Sequence, residues 1–134
     1  MYTAIKSEFA YEELRAVYKD ACSVIKFSGN TSFAPAINHT IKKAQDAINT
    51  WFVLLIVCDG CVTEVEDTQA AIVRASSYPI SIIVVGVGSG PWHQMRQLDN
   101  GMSGAAFDNV CFTPLDDCKG PSRDDIFTAK GDWP

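Results

Sequence analysis

The chain has 134 residues, 47% of them apolar and 20% charged, with a net charge of −5. That length carries one domain with one modest core, and that composition belongs to a folded globular chain and not to a disordered one. The acidic balance excludes a general nucleic-acid binder, which needs a basic face to meet phosphate, and it disfavours binding to a bare anionic membrane.

The N-terminal stretch MYTAIKSEFAYEELRAVYKD is charged early and has no apolar core of the signal-peptide kind. No apolar run approaches the roughly 18 residues of a membrane span. The expectation is a cytoplasmic or nuclear chain with no direct membrane insertion. Its five cysteines are then reduced thiols. The glycosylation sequons at Asn30 and Asn38 are then chance matches.

In chain order, Tyr11 to Lys26 is predicted to be a helix, with Leu14, Val17, Tyr18, Ala21 and Ile25 on one face. Phe27 to Phe33 (FSGNTSF) is predicted to be a loop. A second helix follows, with Ser32 as N-cap, Pro35 in its first turn, and an apolar face of Ile37, Ile41, Ala44 and Ile48. Trp51 to Val57 (WFVLLIV) is apolar at every position, as in a strand buried on both faces within a parallel sheet. Thr68 to Ala75 is a short helix with Asp67 as cap and Ala71, Ile72 and Ala75 inward. Ile80 to Gly88 (ISIIVVGVG) is a second two-face-buried strand, Pro91 to Leu98 a short helix, and Asn109 to Thr113 a third strand. From Leu115 onward the chain reads as a loop-like tail. Alternating strands and helices of this kind predict a doubly wound α/β sheet. Ligands of such sheets bind at the carboxyl ends of the strands, and Asp59 lies there, just past WFVLLIV.

The stretch VCDGCVTE, Val57 to Glu64, admits several readings. A redox CxxC opens a helix, whose dipole lowers the first thiol's pKa. Here Val62 and Thr63 intervene before the helix signals near Asp67. A structural zinc site needs four ligands. Cys111 and Cys118 match no knuckle spacing, and His39 and His93 fall on predicted helices. The better reading for the cysteines is small apolar filling. The glycines of GVGSGP, Gly86 to Pro91, match no nucleotide-binding spacing and serve a sharp turn out of the strand. Asp59 remains, either as an oxygen ligand for a hard cation or as the first residue of a common Asp-Gly turn. On the residues alone both stand.

Taken together, GNTSFAPAINHTI, FVLLIVCDGCVTE and DTQAAIVRASSYPISIIVVGVG resemble, in order and spacing, the vWA domain of the copine family, from about Glu12 to Leu115. Within that group GSGPWHQMRQLDNGMSGAAFDNVCF is similar to the copine-like vWA domain of plant RING-type ubiquitin ligases. The resemblance implies a partial, Rossmann-like vWA sheet over residues 1–114, with the first strands missing and a tail over 115–134. It implies a divalent cation, Mg²⁺ or another, at the top of the sheet. By motif Thr31 is the family's loop threonine and Asp59 its aspartate after the fourth strand. The family's DxSxS motif does not occur here, nor does a RING, nor the C2 domains that give copines calcium-dependent phospholipid binding. The expected function is therefore protein interaction without catalysis, with a remnant, weakly held cation and protein partners. By family resemblance the chain is also expected to lie peripheral to the plasma membrane. Two alternatives remain: a piece or accessory of a ubiquitin ligase that presents substrates, and a CxxC thiol oxidoreductase. With the neighbouring strand missing, Trp51 to Val57 is expected to be an edge that supports homo-oligomers. Trp92, on a glycine-flanked loop at a strand's carboxyl end, is expected to be either an interaction residue or core.

Overall fold

The computed structural model of the protein describes residues 11–25 and 30–118. Helix α1 spans Tyr11–Val24 and α2 spans Ala34–Gln45. Strand β1 is Phe52–Cys58, helix α3 Val65–Ala75, β2 Ile80–Gly86, α4 His93–Asp99 and β3 Val110–Pro114. A short 3-10 turn covers Leu115–Cys118, where the sequence suggested only a loop. The remainder of the tail lies outside the described residues, as do Lys26, the last residue expected in the first helix, and residues 27–29 of the FSGNTSF loop.

The sheet has three strands in the order β1-β2-β3, both pairs parallel. Helical crossovers make this arrangement possible, since a parallel pair cannot be joined by a tight turn. Phe52 is in register with Ile80, and Ile82 with Val110. The architecture is α/β, consistent with a partial vWA-like sheet.

One face of the sheet carries the core. Leu54, Ile56, Ile82, Val84, Val110 and Phe112 pack there under α2 and α3. Helix α2 buries Ile37, Ile41 and Ala44 at helical spacing, and its last turn carries Lys42 and Lys43, where positive charge complements the dipole. Ser32 Oγ accepts from Ala34 N–H at 3.3 Å, while the N-cap position is Phe33, one step later than the sequence suggested. Ile48, expected on the α2 face, lies beyond the helix and is exposed, because α2 ends at Gln45. Helix α3 starts at Val65 and not at Thr68, so Glu66 and Asp67 sit inside its first turn, where carboxylates are favourable. Its N-cap position is Glu64, without a side-chain capping bond, and Asp67 is therefore no cap.

Two sequence expectations about burial fail. The apolar stripe of α1 is largely exposed among the described residues, at Leu14, Tyr18 and Ile25. β1 is not buried on both faces: Leu54 and Ile56 face the core, whereas Val53, Leu55 and Val57 are exposed. Side chains alternate along a strand, and among the described residues no helix lies over that half of the sheet. Trp51 covers only its lower end, donating Nε1–H to Ser81 Oγ at 3.0 Å and meeting the Phe107 ring at a centroid distance of 6.1 Å.

The β3 edge is capped from within. Asp99, at the end of α4, accepts the Phe112 N–H at Oδ1, at 2.8 Å. Burial pushes the Asp99 carboxyl above its ordinary value; the Phe112 N–H opposes the shift, and the Asp108 charge adds to it. A carboxyl raised by folding is favoured there in its neutral form. Its contribution is therefore present below the unfolded value and lost as pH rises through the folded one. Asp99→Asn keeps an acceptor and removes the half-buried charge. The melting temperature of the variant minus that of the wild type is expected to grow as pH rises through the carboxylate range. A difference that shrinks with rising pH contradicts this.

Candidate functional site at the carboxyl edge

β1 delivers Cys58 and Asp59 to the carboxyl edge of the sheet, where the chain turns through Gly60 toward α3. Cys58 is buried and Asp59 is exposed. The loop before α2 comes to the same edge. Thr31 O accepts from Thr63 N–H at 2.9 Å and Glu64 N–H at 3.2 Å, and Thr31 N–H donates to Thr63 Oγ1 at 2.7 Å. The side chains of Asn30 and Glu64 are hydrogen-bonded as well. Behind this pair, Phe33 N–H donates to the fully buried Thr68 Oγ1 at 3.2 Å. The loop carrying Thr31 is thus fastened to the segment that follows Asp59.

A third loop joins them. Val87 N–H donates to Cys58 O at 2.7 Å, and the Cys61 thiol reaches Pro91 O at 3.7 Å. Gly90 has φ +82°, a conformation open to glycine, and it turns the chain so that Trp92 folds back. The Trp92 ring lies over Gly86 and meets Phe112 at a centroid distance of 5.6 Å and 45°. Trp92 is half-buried: one part packs on the core and the rest stays open at the edge.

Thr31, Asp59 and Trp92 thus sit on loops that these bonds join at the carboxyl edge of the sheet. Thr63, the Asn30–Glu64 pair and the Cys61–Pro91 contact were not foreseen. They join segments distant in sequence, and no local pattern marks such bonds. Glu64, at the N-cap position of α3 but without a side-chain capping bond, bonds Asn30 of the Thr31 loop.

Chemically, the edge offers an exposed carboxylate at Asp59 and exposed hydroxyls at Thr31 and Thr63. Among the described residues no three His, Cys, Asp or Glu side chains converge to cage a metal. This donor set fits a hard cation held mostly by water, and it does not fit a tightly coordinated one. The thiols do not favour redox chemistry. All five cysteines are free, and burial, with the Asp59 charge adding to it, pushes the Cys58 thiol above its ordinary value. A redox nucleophile needs the opposite shift. His39 and His93 are exposed on α2 and α4. A shallow depression between α2 and α3, lined by Asn38, Ile41, Lys42, Arg74 and Tyr78, lies at the other end of the sheet, beside the start of β2. Among the described residues no helix is long and apolar enough to cross a membrane.

Comparison with known proteins agrees with this frame. The copine family model matches residues 6–129. The E3 ubiquitin-protein ligase RGLG5 of Arabidopsis thaliana is 40% identical over 119 residues, covering 80% of this chain and 28% of the relative. RGLG1 of the same plant is 35% identical over 126 residues, covering 85% of this chain and 26% of the relative. Copine family protein 2 of Caenorhabditis elegans is 41% identical over 102 residues, covering 76% of this chain. The chain therefore spans less than a third of the length of these relatives. The match runs through every described strand and every loop of the carboxyl edge, and the chain belongs to the copine family.

Proposed function

We propose that the chain is a protein-recognition module acting in the cytosol or nucleus, with the carboxyl edge of its sheet as the binding face. The observation that carries this reading is the fastening of the Thr31 loop to the segment after Asp59 through Thr63 and Glu64. It holds two loops in a fixed relation while Asp59 and Thr31 stay open to solvent. A partner's carboxylate and a divalent cation would suit such a face, with Asp59 and Thr31 as the residues of this chain that would help to hold the cation. In the isolated chain Asp59 and Thr31 would hold Mg²⁺ or Mn²⁺ loosely, with most of the coordination shell supplied by water.

Calorimetric titration tests the cation. The expected dissociation constant lies at about 10⁻⁴–10⁻³ M, the range of weakly held extracellular calcium modules, and Asp59→Ala is expected to abolish the heat. Micromolar binding, or weak binding that Asp59→Ala leaves unchanged, contradicts the assignment of Asp59 and Thr31.

A second reading draws on the relatives named as E3 ubiquitin-protein ligases. In it the module presents substrates for ubiquitination. Excess free chain, added to a relative's ligase reaction, would then compete for substrate and slow its modification. An undiminished rate at concentrations that saturate the partner rules this out.

A further inference from the structure

Helices α2 and α3 run side by side in the same direction, since the bonds Phe33–Thr68, Asn38–Arg74 and Gln45–Tyr78 advance along both together. Their last turns leave between them an open groove of about 590 Å³, at the opposite end of the sheet from Asp59. Ile41 and Tyr78, both packed on the core, form its apolar side. Lys42 and Arg74 line it and are exposed.

The hydrogen bonds of the groove use up acceptors and leave donors. Arg74 Nη2–H donates to Asn38 Oδ1 at 2.9 Å, and Gln45 Nε2–H donates to the Tyr78 hydroxyl oxygen at 2.8 Å. The Asn38 amide N–H groups, the Tyr78 O–H and the other Arg74 N–H groups remain to donate, and the Lys42 ammonium adds only donors. Against them stands the Gln45 amide oxygen as an acceptor. Among the described residues neither cation is ion-paired, although Asp46 stands one turn past Lys42. In a chain of net charge −5, two unpaired cations at one groove are a local excess. Their place in the last turns of α2 and α3 complements the helix dipoles, which accounts for the sign of the charge. It does not account for Arg74 reaching across to α2, which brings both cations to the same groove.

We propose that this groove docks an acidic peptide segment of a protein partner, with a side-chain carboxylate between Lys42 and Arg74 and apolar neighbours on Ile41 and Tyr78. The occupant is an acceptor of hydrogen bonds, because the lining chiefly donates them. It is a peptide and not a free anion, because the groove is shallow and open. An exposed ion pair alone adds little there, and the apolar side needs a chain to cover it. It comes from a partner and not from a permanently packed segment of the same protein, because lasting cover buries apolar surface and almost never unpaired lysine or arginine. The surface is separate from the carboxyl edge, so it holds or fails independently of the cation assigned to Asp59 and Thr31.

Nuclear magnetic resonance titration with a short blocked peptide alternating glutamate and leucine tests this. Amide signals of Asn38, Lys42, Arg74 and Tyr78 are expected to shift saturably while those of residues 59–64 stay in place, and the affinity is expected to fall as salt rises. Lys42→Glu combined with Arg74→Glu is expected to weaken binding at least about tenfold and to take the corresponding lysine–leucine peptide instead. A glutamine–leucine peptide is expected not to bind the wild type, a control that stands even if the double variant fails to fold. The proposal is overturned if no saturable shift develops at the highest soluble peptide concentration, or if the shifts centre elsewhere. Equal binding of the glutamine peptide, or undiminished binding by the folded double variant, overturns it too. Inorganic phosphate that occupies the groove as tightly as the peptide would make it a small-anion site, against the proposal. Peptide binding that disappears when the chain stands in its full-length context would mean that the groove is covered from within, and would likewise overturn it.

Discussion

Gly86→Ala is expected to destabilise the protein by about 1–3 kcal/mol, the ordinary cost of overpacking a closely filled site. A Cβ at Gly86 would lie 2.8 and 2.9 Å from two carbons of the Trp92 ring and 3.1 Å from the Phe112 ring. Gly86 is the last residue of β2, held in register with Cys58 on one side and Pro114 on the other, so the backbone cannot yield. The Trp92 ring must move instead. At a few degrees per kcal/mol for a domain of this size, the melting temperature should fall by roughly 5–10 °C. Trp92→Ala is expected to cost a similar amount, below the ~3–5 kcal/mol of a fully buried tryptophan because the ring is only half-buried. Combined, the two changes should be markedly less than additive, since removing the ring makes room for the new methyl. Thermal unfolding of the two single variants and the double variant checks this. Fully additive losses would show that the ring does not rest on Gly86. Loss of partner binding by Trp92→Ala at unchanged stability would make the residue an interface contact and not part of the core.

Thr68→Val is expected to loosen the Thr31 loop. Thr68 is fully buried at the start of α3, and its hydroxyl oxygen accepts the Phe33 N–H. Valine keeps the shape and leaves that buried N–H without its acceptor, a loss of about 1–3 kcal/mol. The local readout is amide hydrogen exchange at Phe33 and Ala34, which should speed up by more than the global change in stability requires. Retained protection at Phe33 would mean that the bonds from Thr31 to Thr63 and Glu64 hold the loop alone.

The order of helices and strands was legible in the sequence because each element buries enough apolar surface to impose its own period. Ile37, Ile41 and Ala44 mark α2 as helical, and Ile80 to Gly86 marks β2 as a central strand. WFVLLIV was legible as a strand but misleading about burial. An apolar run records which residues tolerate being covered, and cover itself comes from other elements. Here none of the described helices lies over Val53, Leu55 and Val57. The start of α3 at Val65 was obscured because β-branched Val62, Thr63 and Val65 argue against helix locally, while tertiary bonds to the Thr31 loop fix where the helix begins. At the carboxyl edge, the placement of Thr31, Asp59 and Trp92 in loops was legible in the sequence. Their scaffold was not. Thr63, Thr68 and Asp99 each bond a backbone group far along the chain, and such pairings carry no spacing signal.

The central claim is that the loops bearing Thr31 and Asp59 form one recognition face. Paramagnetic broadening by Mn²⁺ in nuclear magnetic resonance spectra tests it most directly, because the effect falls steeply with distance and needs only weak binding. With millimolar Mn²⁺, the first amide signals to vanish should be those of residues 30–33, 59–61 and 63–64, with Trp92 weaker and the start of β2 unaffected. Asp59→Ala should leave all of them sharp. Broadening centred elsewhere, such as on the acidic turn at Asp116 and Asp117, or unchanged by Asp59→Ala, would contradict the account.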